Sequence, residues 1–223
     1  MSILERKERE KEKRRQQILV AAKKLFSRKG FNKATMEDIA AEAELSPGTL
    51  YVYFKNKDEL FASLSLRILQ FLILRIEEAQ KNGNANPEQL LENLAEALYD
   101  VYKFDPQMII YLCHLQSRET LEDLSPELLL MLKGLLRKSI HAIADILEEG
   151  IKNGIVVNRP PTVLADMLLA LFSGIVLWDT SKEIIYKEKD NLKQKLGCAF
   201  ECFFQGIKKQ DNPENFLPID EPI

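Results

Sequence analysis

Apolar positions recur at helical spacing along most of the chain, and alternating, strand-like patterns are weak. Between Arg14 and Gly30, the residues Ile18, Ala21, Ala22, Leu25 and Phe26 fall on one stripe. That stripe predicts an amphipathic helix stopped by Gly30. Thr35, with Asp38 three residues on, has the form of a capping box. Met36, Ile39, Ala40 and Ala43 then repeat at helical period, and Leu45 fills a very short turn. Ser46 caps a further helix with Pro47 in its first position, where a missing N–H costs nothing. Asn56 and Glu59 bracket the start of a fourth.

From Leu60 the pattern changes to long apolar helices. One runs to about Lys81, another from Pro87 to about Phe104, and Asp105–Pro106 opens the next. After the connector "SRETLEDLSP" a long helix covers Pro126 to about Asn153. The stretch "TVLADMLLALFSGIVLWDTS" forms another, and Lys189–Lys208 the last. The chain is therefore expected to be all-α, with a small unit over residues 1–60, a larger body over 61–210 and a frayed, Pro-rich tail over 211–223.

The short helix after Ser46 has an unusual surface. On a helical wheel Leu50 and Phe54 share the inward side, while Gly48, Thr49, Tyr51, Val52 and Tyr53 cover the rest. Small residues let a helix N-terminus approach a groove closely, and phenols can donate to phosphates or pack on a thymine methyl. That is the chemistry of a helix-turn-helix whose second helix enters the major groove. Thr35 and Asn56 open helices whose free N–H groups suit phosphates. Lys57 lies in a first turn, where the macrodipole disfavours a cation. A phosphate would remove that conflict; solvent would tolerate it.

Charge sharpens the picture. Residues 1–33 carry 12 Lys/Arg against 4 Asp/Glu, a net of +8, and the remainder carries −11, for a total of −3. A basic head on an acidic body suits a polyanion partner, nucleic acid first, although a mixed-sign run such as "ERKEREKEKRRQQ" also suits a solvated helix. No apolar run is read as long and uninterrupted enough to span a bilayer, so no membrane partner is expected, and the charged N-terminus has no apolar signal core. Three sparse cysteines, Cys113, Cys198 and Cys202, fit a reducing cytoplasm.

The segment "RRQQILVAAKKLFSRKGFNKATMEDIAAEAELSPGTLYVYFKNKDELF" resembles the DNA-binding domain of the TetR/AcrR family of transcriptional regulators. "GF" followed by Thr35, "IA", "SPGTLYVYF" and "NKDELF" occur in order and at the family's spacing. The resemblance implies an N-terminal three-helix helix-turn-helix domain followed by a larger helical ligand-binding and dimerisation domain. It implies phosphate contacts from Thr35, Tyr53 and Lys57, and groove contacts from Ser46, Pro47, Gly48, Thr49 and Tyr51. Tyr53 departs from the His that many members carry. A longer basic extension precedes Arg14. By the same resemblance the chain is a homodimer that leaves a palindromic double-stranded DNA operator when a small-molecule effector binds.

The segment from Glu148 to Leu177 resembles the family's lead into its dimerising helices. Because "VLADMLLALFSGIVLW" is apolar on nearly all sides, Leu168, Leu171, Phe172, Gly174 and Ile175 are assigned to the partner-facing side. Leu196, Phe200 and Phe203 of the last helix join them. An intrachain core helix has the same composition. For the effector pocket the candidate wall is Phe71, Tyr99, Tyr102, Phe104, Met108, Tyr111, His114, Met131 and Trp178. These residues equally suit plain packing, and they hold no charged cluster, so a largely apolar effector is expected.

Two other classes compete. Enzymes are disfavoured by the lack of a Gly-rich phosphate loop, zinc signature or G-x-S-x-G elbow, and no cofactor or metal is expected. Cys113–His114 and the i, i+4 pair Cys198 and Cys202 leave open a metal- or thiol-redox-responsive regulator. A helical adaptor that binds protein and not DNA is the other alternative.

Overall fold

The computed structural model describes residues 3–81, 87–105, 121–122, 124–187 and 191–209. Met108, Tyr111, Cys113 and His114, the helix expected to open at Asp105–Pro106, and the expected tail lie outside these. Among the described residues, helices of seven residues or more are α1 (Ile3–Lys29), α2 (Met36–Glu42), α3 (Pro47–Tyr53), α4 (Lys57–Lys81), α5 (Pro87–Phe104), α6 (Pro126–Lys152), α7 (Pro161–Tyr186) and α8 (Leu192–Ile207). The chain is all-α; extended pairing among the described residues is a single bridge between Val156 and Lys208.

α1 begins far ahead of the apolar stripe that predicted it. Glu, Lys and Arg are good helix formers, and pairs one turn apart, such as Arg6–Glu10 at 3.1 Å, support a helix with no buried face. The basic extension is thus helical, and α1 reaches about 40 Å in length. The border expected between residues 60 and 61 falls inside α4, whose buried side is continuous from Leu60 to Ala79. One apolar core accordingly runs from Ile18 on α1 to Ile207 on α8. α4 packs against α1, α5 and α6, and α7 lies between α6 and α8.

α7 corrects one expectation. Pro161–Glu183 is long and apolar enough, by length and composition, to cross a membrane, with a mean hydropathy of 1.8. Leu164, Ala165, Leu168, Phe172 and Val176 on one side are buried, while Val163, Met167 and Trp178 on the other stay exposed. The turn into α7 is tied to the end of α8: Val157 N donates to Ile207 O and Lys209 N to Ile155 O, both at 2.8 Å. Gly150 permits this, because a Cβ there would stand 2.6 Å from Val156 Cγ2.

Candidate nucleic-acid interface

α2, the turn and α3 are built as their caps predict. Asp38 N donates to Thr35 Oγ1 at 3.1 Å and Thr35 N to Asp38 Oδ2 at 3.2 Å, closing the capping box. Thr49 N donates to Ser46 Oγ at 3.1 Å, and the Ser46 and Thr49 hydroxyls share a hydrogen bond of 2.8 Å. One hydroxyl hydrogen of that pair stays available to an acceptor. Between the helices, Leu45 N reaches back to Ala40 O at 2.9 Å and Glu44 N to Ala41 O at 3.1 Å. This closes α2 with Glu44 in the left-handed region, φ 56.

α1 holds this pair of helices in place. Lys29 meets Asp38 at 2.8 Å; Lys24 and Arg28 meet Glu42 at 2.5 and 3.0 Å. The hydrogen bonds from Lys29 and Lys24 hold the Asp38 and Glu42 carboxyls below their ordinary values. Gln17 Nε2 donates to Ala43 O at 2.8 Å. Beneath α3, Leu50 and Phe54 are buried, and the Arg15 guanidinium lies 4.6 Å from the Phe54 ring centre while donating to Ser63.

The outward surface is then fixed. Thr35, Ser46, Pro47 and Gly48 are exposed, and Thr49 is half-buried. Tyr51 is 49% exposed and Val52 81%. Tyr53 is half-buried against the core. Lys57 points neither freely to water nor into empty space. Its Nζ donates to Phe31 O at 3.0 Å and lies 4.5 Å from the Phe31 ring centre. The bond to a carbonyl and the ring face explain how a cation is tolerated in a first turn, and two N–H donors remain.

The model for bacterial regulatory proteins of the tetR family matches residues 18–64, from the stripe of α1 into the first turns of α4. The chain belongs to the TetR family. It is 26% identical over 176 residues to YhgD, an uncharacterised HTH-type transcriptional regulator of Bacillus subtilis, covering 78% of this chain and 89% of that one. The fatty acid metabolism regulator protein of B. subtilis is 29% identical over 138 residues, 62% of this chain and 68% of its own length. In fold it is similar to PfmR, a TetR family transcriptional regulator from Thermus thermophilus, with a TM-score of 0.67 and 22% identity over 86% of this chain and 99% of that one. As a TetR-family protein it is a DNA-binding transcriptional regulator and not an enzyme.

In this TetR-family chain the body residues fall into a different arrangement from the one expected. Leu168, Phe172, Leu196 and Phe200 are buried within the subunit, with the Phe172 and Phe200 rings 6.3 Å apart, so they form the seam between α7 and α8. Leu171, Ile175 and Phe203 are half-buried, and Gly174 is exposed. The bare side of α7 is the opposite stripe: Val163, Met167, Ala170, Gly174 and Trp178. The period of 3.6 separates the two sides, but a helix apolar on both does not reveal which one the subunit covers.

Among the described members of the candidate pocket wall, Trp178 and Met131 stand apart from the rest. Trp178 is 64% exposed on the outer side of α7. Met131 lines a groove of about 660 Å³ between α1, α4 and α6, together with Arg15, Tyr53, Ser63 and Arg67. Phe71 and Phe104 stack, ring centres 4.3 Å apart. Tyr99 and Tyr102 lie 6.3 Å apart, with burial first and Asp179 second pushing the Tyr102 phenol up. One helical turn from the stacked rings, Arg75 donates to Asp100 at 2.6 Å and to Glu78. Sequence reasoning missed this charged cluster, because Asp100 lies 25 residues from Arg75 in the chain. It also passed over Val52, which the wheel had already placed on the outward side.

Proposed function

We propose that this chain is a homodimeric repressor that grips a palindromic operator through two copies of α3 and is released by a largely apolar effector bound in the body. The observation that carries the reading is the outward side of α3. An isolated surface helix would carry Lys and Glu there; this one leaves Tyr51 and Val52 bare over a buried Leu50 and Phe54. Ser46, Pro47, Gly48, Thr49 and Tyr51 meet base edges, joined by Val52, whose methyls suit a thymine methyl. Thr35, Tyr53 and Lys57 take phosphates. Residues 1–60 act as the reading head and 61–210 as the effector and dimerisation body, in the cytoplasm where the DNA is.

The second copy covers the stripe Val163, Met167, Ala170, Gly174 and Trp178, together with the outer side of α8. Two helices from each subunit then make a four-helix interface. For the effector, the stacked Phe71 and Phe104 offer an aromatic ledge, and the likeness to a regulator of fatty acid metabolism suits an apolar molecule. Selection of genomic fragments by the purified protein tests the reading. A two-fold symmetric motif should emerge, with half-site centres about 34–36 Å apart or a multiple of that. Its affinity should fall steeply with salt. Enrichment of no motif, or affinity indifferent to salt, refutes it and favours a protein-binding adaptor.

A further inference from the structure

Asp105 follows the last residue of α5 and is 6% exposed. A carboxylate this far from water needs a partner. Its partner is Lys23 on α1, with Nζ 2.5 Å from Oδ2. The pair therefore joins the helix that carries the reading head to the far end of a body helix. The next residue on α1, Lys24, faces about 100° further round the helix. It grips Glu42 of α2, with Arg28 beside it. Successive lysines thus tie one helix to the body on one side and to the reading unit on the other.

We infer that the Lys23–Asp105 ion pair sets the angle of the reading head on the body, and through it the separation of the two reading helices. The inference rests on the homodimer reading above. Asp105 and Lys23 are positioning residues: in this role neither touches DNA. A buried carboxylate separated from its cation is strongly unfavourable, so the end of α5 and α1 move together. Phe104, immediately before Asp105, is exposed and stacked on Phe71. A molecule that shifts the backbone at the end of α5 by wedging between these rings would shift the carboxylate that holds the head as well.

The test uses the full chain and the duplex found by genomic selection, with the half-sites moved apart or together by single base pairs, beside a duplex holding one half-site. Wild-type protein should lose at least about fivefold in affinity when the spacing is wrong, the low end of coupling between sites. Asp105→Asn keeps the shape and removes the charge. It should flatten the spacing profile and leave single half-site affinity unchanged. Lys23→Gln should do the same from the more exposed partner, which covers a failure of Asp105→Asn to fold. Lys23→Asp with Asp105→Lys should restore a spacing preference. The inference is overturned if both single variants keep the wild-type profile, or if affinity falls equally at every spacing and on the lone half-site. If the wild-type protein itself shows no spacing preference, the dimer reading has failed and the inference falls with it.

Discussion

α3 and α7 both leave apolar side chains in water, and those side chains keep different company. α3 has seven residues, of which Leu50 is buried, and its bare side chains follow directly on the Ser46 cap. α7 has 26 residues, and its bare stripe from Val163 to Trp178 runs about 22 Å with small residues, Ala170 and Gly174, near its middle. A few exposed apolar groups framed by N–H donors match a surface that is itself mixed: base edges, methyls and phosphates. A long, flat stripe with a small-residue waist matches another helix. Exposure alone is therefore a poor guide to partner; the company the exposed residues keep decides it.

The largest effect should come from breaking the α7 side. A Cβ at Gly174 meets nothing within 4 Å inside the subunit, so Gly174→Arg leaves the fold intact and removes a helix-interior glycine. In the dimer it drives a charge into the waist of the interface. Sedimentation should show monomers, and operator affinity should fall by about 10²–10⁴, the advantage of binding two linked half-sites. A dimer that survives this change moves the interface away from α7.

The α3 side should respond more modestly and in two distinguishable ways. Tyr51→Ala should cost about 1–3 kcal/mol of binding to the selected operator and little on unrelated duplexes. Because Tyr51 is half exposed, the melting temperature should barely move. Lys57→Ala should weaken all duplexes alike and reduce the salt slope by about one unit. The bond from Lys57 to Phe31 O also predicts a small loss of thermal stability, which Tyr51→Ala lacks. Equal operator losses without the salt signature would make Lys57 a structural tether from α4 to the α1–α2 loop.

The contrast also marks how far sequence could reach. Caps and short-range periodicity placed α2, the turn and α3, because the bonds that start them lie within a few residues: Thr35 with Asp38, Ser46 with Thr49. α7 was legible as a helix and illegible as a surface. Its side toward α8 is chosen by Phe172 meeting Phe200, a contact between residues 28 positions apart. Two members of the wall expected for the effector were illegible in the same way, since aromatic type or Met says nothing of direction; Trp178 points out and Met131 lines the groove beside α1. The Lys23–Asp105 and Arg75–Asp100 pairs were invisible for the same reason of distance along the chain.

The smallest effect tests the turns that aim the two regions. α1 ends at Gly30 and α6 runs into Gly154, both left-handed at φ 79 and 72, where glycine pays no Cβ penalty. The turn before α3 uses Glu44 at φ 56 instead. A side chain there costs about 1–2 kcal/mol. Glycine relieves that strain and returns about 0.5–1 kcal/mol to the unfolded chain as entropy. Glu44→Gly should therefore raise stability by no more than about 1 kcal/mol, a few degrees in the melting temperature. Gly154→Ala should lower it, although the new methyl meets nothing within 4 Å, because the penalty is in the backbone. Were Glu44→Gly instead to destabilise the protein while leaving DNA binding unchanged, the exposed carboxylate would have a structural partner in solution. The turn would then be held by more than the backbone hydrogen bonds that close α2 and the bond from Gln17 to Ala43 O.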